Sequence, residues 1–150
     1  MREVAVKEIT QLVRDLYIDA NVNLGKDVVA ALQQALDREE SPIGKEVLSE
    51  LIENARIAKT EVMPICQDTG LPVVFIELGQ DVHLTGGDLS KAINAGIREG
   101  THDGFLRPSL CHCLTRHNSG DNTPPVIHLE LVPGDRLKIT VLPKGGGARI

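Results

Sequence analysis

The chain has 150 residues and a formal net charge of -5 at neutral pH, with 41% apolar but only 2% aromatic residues. This length fits a single domain, residues 1–150, with a core of Val, Ile, Leu and Ala. The negative charge and the lack of a basic stripe argue against a nucleic-acid partner. No apolar run approaches the roughly 20 residues that span a bilayer, so no membrane is expected either.

The cysteines point to a reducing compartment. There are three of them, an odd number, and Cys111 and Cys113 are one residue apart, where a mutual disulfide would be strained. We see no signal peptide, because charged sequence with helical periodicity directly follows Met1. We therefore expect a cytoplasmic protein whose cysteines serve as thiols or as metal ligands.

Three amphipathic helices are predicted in the first part of the chain. Apolar residues recur at helical spacing over about residues 3–20 and again over residues 24–36. Ser41 as N-cap and Pro42 at the first helical position begin a third helix, which runs to about Thr60. Such apolar stripes are typical of core or subunit-contact faces.

Strands follow the helices. The nearly unbroken apolar run at residues 71–78 predicts a strand buried on both faces, and Asp88 can cap a further helix. Alternation at residues 126–131 and 137–141, on either side of a turn at residues 133–135, predicts a hairpin. The pattern indicates an α+β fold with N-terminal helices, then a mixed or antiparallel sheet with a C-terminal hairpin.

Between the third helix and the first long strand lies the Cys66 loop, residues 64–70 with the sequence Pro-Ile-Cys-Gln-Asp-Thr-Gly. Cys66 could be a buried small thiol, a nucleophile or a metal ligand. Gln67 and Asp68 would be expensive to bury without a function, which favours the edge of an active site. Asp68 could instead cap a turn, or move a proton beside a metal and a substrate.

Two further segments could bind an anion. Arg107 lies in an aperiodic stretch, residues 101–124, and could form a surface salt bridge or clamp a substrate carboxylate. Lys144 precedes three glycines, which could be a flexible tail or a nest of backbone N–H groups. The glycine run is not the nucleotide-binding phosphate loop, in which the lysine follows the glycines.

Cys111, Cys113 and His117 suggest a zinc site. Their spacing is not the usual one, because paired zinc ligands are normally separated by two to four residues and a second pair is missing. A non-catalytic interaction or zinc-binding module that uses these three residues is nevertheless the alternative to an enzyme.

Taken together, the motifs resemble the N-terminal part of the α-subunit in the class I, iron–sulfur fumarate hydratase and L-tartrate dehydratase family. The matching segments are residues 64–70, residues 105–109 (Phe-Leu-Arg-Pro-Ser), residues 116–124 (Arg-His-Asn-Ser-Gly-Asp-Asn-Thr-Pro) and residues 143–147 (Pro-Lys-Gly-Gly-Gly). They occur in the family's order, and the resemblance covers essentially the whole chain.

The resemblance implies a [4Fe-4S] cluster held by three cysteines, with one iron open to substrate, and Cys66 matches the first of these ligands. Asp68 is the candidate acid/base. The positions that match substrate-binding residues of the family are Gln67, Asp68, Arg107, Gly145, Gly146 and Gly147.

The activity that the resemblance implies is reversible hydration of a dicarboxylate: fumarate to malate first, a reaction of the tricarboxylic acid cycle, and tartrate to oxaloacetate next. It implies a β-subunit as partner in a homo- or hetero-oligomer. The family's other two cluster cysteines are expected beyond the glycine run, and Cys111 and Cys113 match no ligand. We therefore expect this chain alone to hold a cluster poorly and to be inactive.

Overall fold

The structure, a computed structural model, describes residues 2–145. In chain order its elements are β1 (Arg2–Ala5), α1 (Val6–Val22), α2 (Lys26–Arg38), α3 (Pro42–Glu61), β2 (Leu71–Gly79), β3 (Val82–Thr85), α4 (Leu89–Asp103), β4 (Val126–Val132) and β5 (Leu137–Lys144). Mixed sheet follows N-terminal helices, so the predicted α+β class is confirmed. Of the helices in the described part, none has the length and apolarity needed to cross a bilayer.

The chain divides into two compact units. The first unit combines residues up to 20 with those from 68 onward, and the second unit is residues 21–67. The boundary falls inside the Cys66 loop, between Gln67 and Asp68. A single domain for the whole chain stays a prediction, because two compact units can belong to one domain.

Two helix starts follow the predicted capping chemistry. The Ser41 hydroxyl oxygen accepts a hydrogen bond from the Gly44 N–H at 3.4 Å, with Pro42 as the first residue of α3. An oxygen of Asp88 accepts from the Lys91 N–H at 2.7 Å at the start of α4. Each cap satisfies one of the N–H groups that the first helical turn leaves without an intrahelical partner.

The central sheet has the strand order β4-β2-β5, with β4 parallel and β5 antiparallel to β2. The two predicted C-terminal strands and the turn between them are present, but β2 lies between the strands, so they do not pair with each other. The turn closes over the end of β2, where the Gly79 N–H donates to the Arg136 carbonyl at 2.8 Å and the Asp81 N–H donates to the Gly134 carbonyl at 2.9 Å. The most apolar strand therefore takes the central position, where both its edges are paired.

A second, two-stranded sheet lies outside the predicted elements. The strands β1 and β3 pair in parallel, with Arg2 opposite Val82 and Ala5 opposite Thr85. Because β1 occupies the first residues, α1 begins at Val6 and not at about residue 3.

The core of the first unit forms where α1 and α4 cover one face of β2. Its buried members are Val4, Val6, Ile9, Val13, Tyr17, Val74, Ile76, Ala92, Ile93, Ile97 and Leu106. Phe75, on the other face of β2, is 42% exposed and stacks on His128 with ring centroids 5.0 Å apart. The prediction that this strand is buried on both faces is therefore wrong at Phe75.

The second unit is built on the pair α2 and α3, which pack against each other. Ala55 and Ala58 of α3 are buried, whereas Ile43 is 74% and Leu51 is 48% exposed. The apolar stripe of α3 is thus only partly covered by the described residues.

Gly96 allows a close approach of α4 to α1. A Cβ at this position would lie 2.6 Å from the Thr10 carbonyl oxygen and 2.9 Å from the Val13 Cβ. Alanine normally stabilises a helix relative to glycine by about 1 kcal/mol, but overpacking reverses the sign here. We expect Gly96→Ala to lower the free energy of unfolding by about 1–3 kcal/mol in urea titrations. Lys91→Ala, on the exposed side of the same helix, is the control, and a stabilised Gly96→Ala variant would contradict the close packing.

Candidate functional site

The start of β2 and the end of β5 bring two of the predicted motifs together. The antiparallel register pairs Leu71 with Lys144. Gly70, with φ 64°, has no room for a side chain, since a Cβ there would lie 2.7 Å from the Gly145 Cα. A Cβ at Gly145 would in turn lie 3.6 Å from the Asp68 carbonyl oxygen and 3.9 Å from its Oδ2. Asp68 and Gly145 are therefore neighbours, while Gly146 and Gly147 lie outside the described residues.

Asp68 caps its own turn and remains exposed. Its Oδ1 accepts a hydrogen bond from the Gly70 N–H at 3.2 Å, which is the turn-capping role that the sequence left open. Its charge also acts on Tyr17, which lies in the core. Burial raises the pKa of Tyr17 above its usual value and the charge of Asp68 raises it further, whereas the polar side chains of Asn122 and Thr101 oppose the shift. Tyr17 therefore stays protonated at neutral pH.

Arg107 presents an exposed side chain on a fixed backbone. The preceding residue, Leu106, is buried, and its N–H donates to the Thr101 carbonyl at 2.9 Å. The Arg107 carbonyl oxygen accepts from Asn122 Nδ2 at 3.0 Å. Among the salt bridges between described residues none involves Arg107, so the surface ion pair considered from the sequence is not found in this part of the chain.

Asn122 joins this segment to the core, a role that sequence reasoning missed. Its side chain is fully buried, and Oδ1 accepts from the N–H groups of Ser109 at 2.8 Å and Leu110 at 3.1 Å. The amide Nδ2 donates to the Arg107 carbonyl and, at 3.4 Å, to Thr101 Oγ1. The sequence signal that could have indicated this role is the position of Asn122 in the motif of residues 116–124, because an exposed linker does not require a motif.

Cys66 and Gln67 belong to the second unit, and both are exposed. The Cys66 N–H donates to Asn54 Oδ1 at 3.0 Å, and the Ile65 N–H donates to the Asn21 carbonyl at 2.9 Å. The thiol is therefore not a buried hydrophobe, and it stands on a backbone that two hydrogen bonds hold in place. These two contacts anchor the residues that lead up to Gln67.

The described residues provide only part of the ligand set of an iron–sulfur cluster. Such clusters are held by several thiolates, and Cys66 fits as one of them because its thiol is exposed. Within residues 2–145 no three His, Cys, Asp or Glu residues are grouped closely enough to hold a metal ion. A complete ligand set would therefore have to include residues outside this part of the chain.

The zinc alternative finds no support in the described residues, for the same reason. His112 Nδ1 accepts hydrogen bonds from the N–H groups of Leu114 at 3.4 Å and Thr115 at 3.2 Å, so it stabilises the local turn. Cys111 and Cys113 are exposed free thiols, and Cys111 Sγ accepts from Asn118 Nδ2 at 3.7 Å.

Asp121 stabilises the same loop in a pH-dependent way. Partial burial raises the pKa of Asp121, but hydrogen bonds from Thr123 and Arg98 outweigh this effect and the pKa is lowered overall. Because the folded-state pKa lies below the unfolded one, the contribution is present above about pH 4 and is lost as the pH falls through the folded value. We expect Asp121→Asn to cost about 1–2 kcal/mol of stability at pH 7 and clearly less at pH 3, measured by denaturant titration. Asp135→Asn, in an exposed turn, is the control, and a pH-independent loss for Asp121→Asn would contradict the argument.

Comparison with known proteins adds a family match. The family model described as fumarate hydratase (Fumerase) matches residues 10–150. A provisionally named L(+)-tartrate dehydratase subunit alpha of Methanocaldococcus jannaschii is 35% identical over 147 residues, covering 94% of this chain and 52% of that protein. A provisionally named class I fumarate hydratase of Geobacillus stearothermophilus is 33% identical over 146 residues, covering 95% and 28%. The L(+)-tartrate dehydratase subunit alpha of Escherichia coli (strain UTI89) is 29% identical over 153 residues, covering 99% and 50%. The chain thus spans about half the length, or less, of these relatives.

Proposed function

The chain belongs to the fumarate hydratase (Fumerase) family, and on this premise we propose that it is part of a hydro-lyase that adds water to, and removes water from, a dicarboxylate. Fumarate and malate are the first candidates, and tartrate with oxaloacetate the second, since the relatives carry both names. The observation that carries the proposal is the approach of Asp68 to Gly145 at the paired ends of β2 and β5.

The substrate's carboxylates are bound by cationic and backbone donors. The Arg107 guanidinium, exposed on a fixed backbone, suits a bidentate pair with one carboxylate. The backbone N–H groups of the glycines at 145–147 and the Gln67 amide supply further donors. Such preorganised donors stabilise the negative charge that builds up on a carboxylate when the adjacent carbon loses a proton.

Asp68 moves the proton in this proposal. Removing the proton next to the substrate carboxylate requires a base, and returning it in the reverse direction requires the corresponding acid. Asp68 is exposed and lies beside Gly145, so the proposed proton carrier and a proposed substrate-binding backbone are adjacent.

The proposed cofactor is a [4Fe-4S] cluster, for which Cys66 provides one thiolate. When bound, the cluster supplies a Lewis-acidic iron that makes the substrate's hydroxyl a better leaving group. The remaining ligands come from outside the described residues, so we propose that this chain alone is inactive. We also propose a β-subunit as partner, since two of the relatives are named alpha subunits. The proposed location is cytoplasmic.

The test is an assembled enzyme. This chain, extended by the sequence that completes its relatives and produced together with a β-subunit, is reconstituted with iron and sulfide without oxygen. We expect fumarate to be converted to malate, and the loss of absorbance from fumarate's double bond measures this conversion. Preferential turnover of tartrate would assign the second substrate, and turnover of neither acid would contradict the proposal.

A further inference from the structure

We propose that Asn122 is a positioning residue for Arg107: it sets the backbone of the Arg107 turn, defined as residues 105–110, and so determines where the guanidinium meets the substrate carboxylate. This inference rests on the proposed role of Arg107 in substrate binding. It concerns a residue that touches neither substrate nor cofactor in the proposed function.

The contacts of Asn122 span the turn. Its Oδ1 accepts from the N–H groups of Ser109 and Leu110, at 2.8 and 3.1 Å, and its Nδ2 donates to the Arg107 carbonyl at 3.0 Å. One buried amide therefore joins three backbone groups on both sides of Pro108. An amide has two N–H donors and an oxygen that accepts twice, and the second N–H donates to Thr101, so its hydrogen-bonding capacity is used in full.

The amide is in turn fixed by a helix of the core. Thr101 lies on α4, and its side chain is buried. Thr101 Oγ1 accepts from Asn122 Nδ2 at 3.4 Å, and the Thr101 hydroxyl donates to the Ile97 carbonyl of the same helix at 2.9 Å. The position of the Arg107 turn is thus set by a packed helix and not by the exposed part of the loop.

A structural role and a positioning role predict different kinetics. A shift of about 1 Å in a substrate-binding group can cost on the order of 100-fold, and here the shift would act through one guanidinium. We expect Asn122→Gly to raise KM for the dicarboxylate by about 10- to 100-fold while kcat changes far less. Glycine is chosen because Asn122 has φ 57°, which glycine adopts without strain.

A double-mutant cycle with Arg107→Ala identifies the route. In the assembled enzyme we expect Arg107→Ala to raise KM, and Asn122→Gly to add little to KM once Arg107 is absent. Additive effects, or an unchanged KM in the single Asn122→Gly variant, would overturn the inference. Asn94→Ala removes another side-chain hydrogen bond, to the Ser90 carbonyl on α4, and serves as the control that should leave KM unchanged.

One further measurement tests the inference without turnover, and a second variant tests it if the first does not fold. In the 150-residue chain itself, Asn122→Gly should speed amide hydrogen exchange at Ser109 and Leu110 by about 10-fold or more, and unchanged exchange would overturn the inference. If Asn122→Gly does not fold, Thr101→Val removes one anchor while keeping the side-chain volume, and should raise KM in the same direction. If Arg107→Ala leaves KM unchanged, the proposed role of Arg107 fails, which is distinct from a silent Asn122→Gly.

Discussion

Cys66→Ser is expected to leave the assembled enzyme without most of its iron and to reduce its activity by about 100-fold or more. Changing a group that merely orients a metal ligand typically costs about 10- to 100-fold, so loss of a ligand costs at least as much. Serine is nearly the same size, so the hydrogen bond from the residue 66 N–H to Asn54 should persist and the loop should keep its shape. The change is therefore confined to a soft thiolate donor, which iron–sulfur clusters require and a hydroxyl does not replace.

The chain provides its own controls for this experiment. Cys111 and Cys113 are also exposed free thiols, and no family motif includes them. Cys111→Ser and Cys113→Ser should keep the iron, the acid-labile sulfide and the activity of the parent enzyme. Retention of iron and activity in Cys66→Ser would contradict the ligand assignment, as would an equal loss in all three variants.

The features predicted correctly are those that depend on neighbouring residues. Ser41 and Asp88 cap helices because each side chain reaches an N–H three residues later, which a local pattern contains in full. Tyr17 shows the limit of this reasoning. It occupies the core at i+4 from Val13, but the apolar periodicity over residues 3–20 does not mark it, because a single tyrosine gives a weaker signal than aliphatic residues.

Features that depend on distant residues were not predictable in the same way. The partner of β1 is about eighty residues away in sequence. The strand β1 shows no alternation, and the alternation of β3 extends over only four residues. The insertion of β2 between β4 and β5 depends on which strand buries more apolar surface, whereas the turn between β4 and β5 suggested a simple hairpin. Local turn chemistry identifies a connection but does not identify the neighbour across the sheet.

The candidate site combines both kinds of information. The residue types at Asp68, Arg107 and Gly145 suggested acid–base chemistry and anion binding from the sequence. The β2–β5 register then places Asp68 beside Gly145, which the sequence pattern does not reveal. Asn122 was missed because an amide in a polar loop is usually exposed, and only the long-range contact to Thr101 on α4 and the bonds to residues 107–110 explain its burial.

The second large effect is expected at Asp68. Asp68→Asn should lower kcat of the assembled enzyme by about 100- to 10,000-fold, the usual contribution of a general acid–base group. Asparagine keeps the oxygen that accepts from the Gly70 N–H but cannot take up a proton, so the turn should persist while proton transfer is lost. Thermal unfolding should show a stability close to that of the parent enzyme.

The same substitution separates the two roles left open for Asp68. If the carboxylate served only as a turn cap, Asp68→Asn would retain activity, and Asp68→Ala would lose about 0.5–1.5 kcal/mol of stability with the hydrogen bond to Gly70. If it transfers the proton, both variants lose kcat, although only Asp68→Ala disturbs the turn. Asp81→Asn, in the exposed turn after β2, should change neither quantity. Full activity in Asp68→Asn would therefore reject Asp68 as the acid–base group and leave it as the residue that shapes the turn beside Gly145.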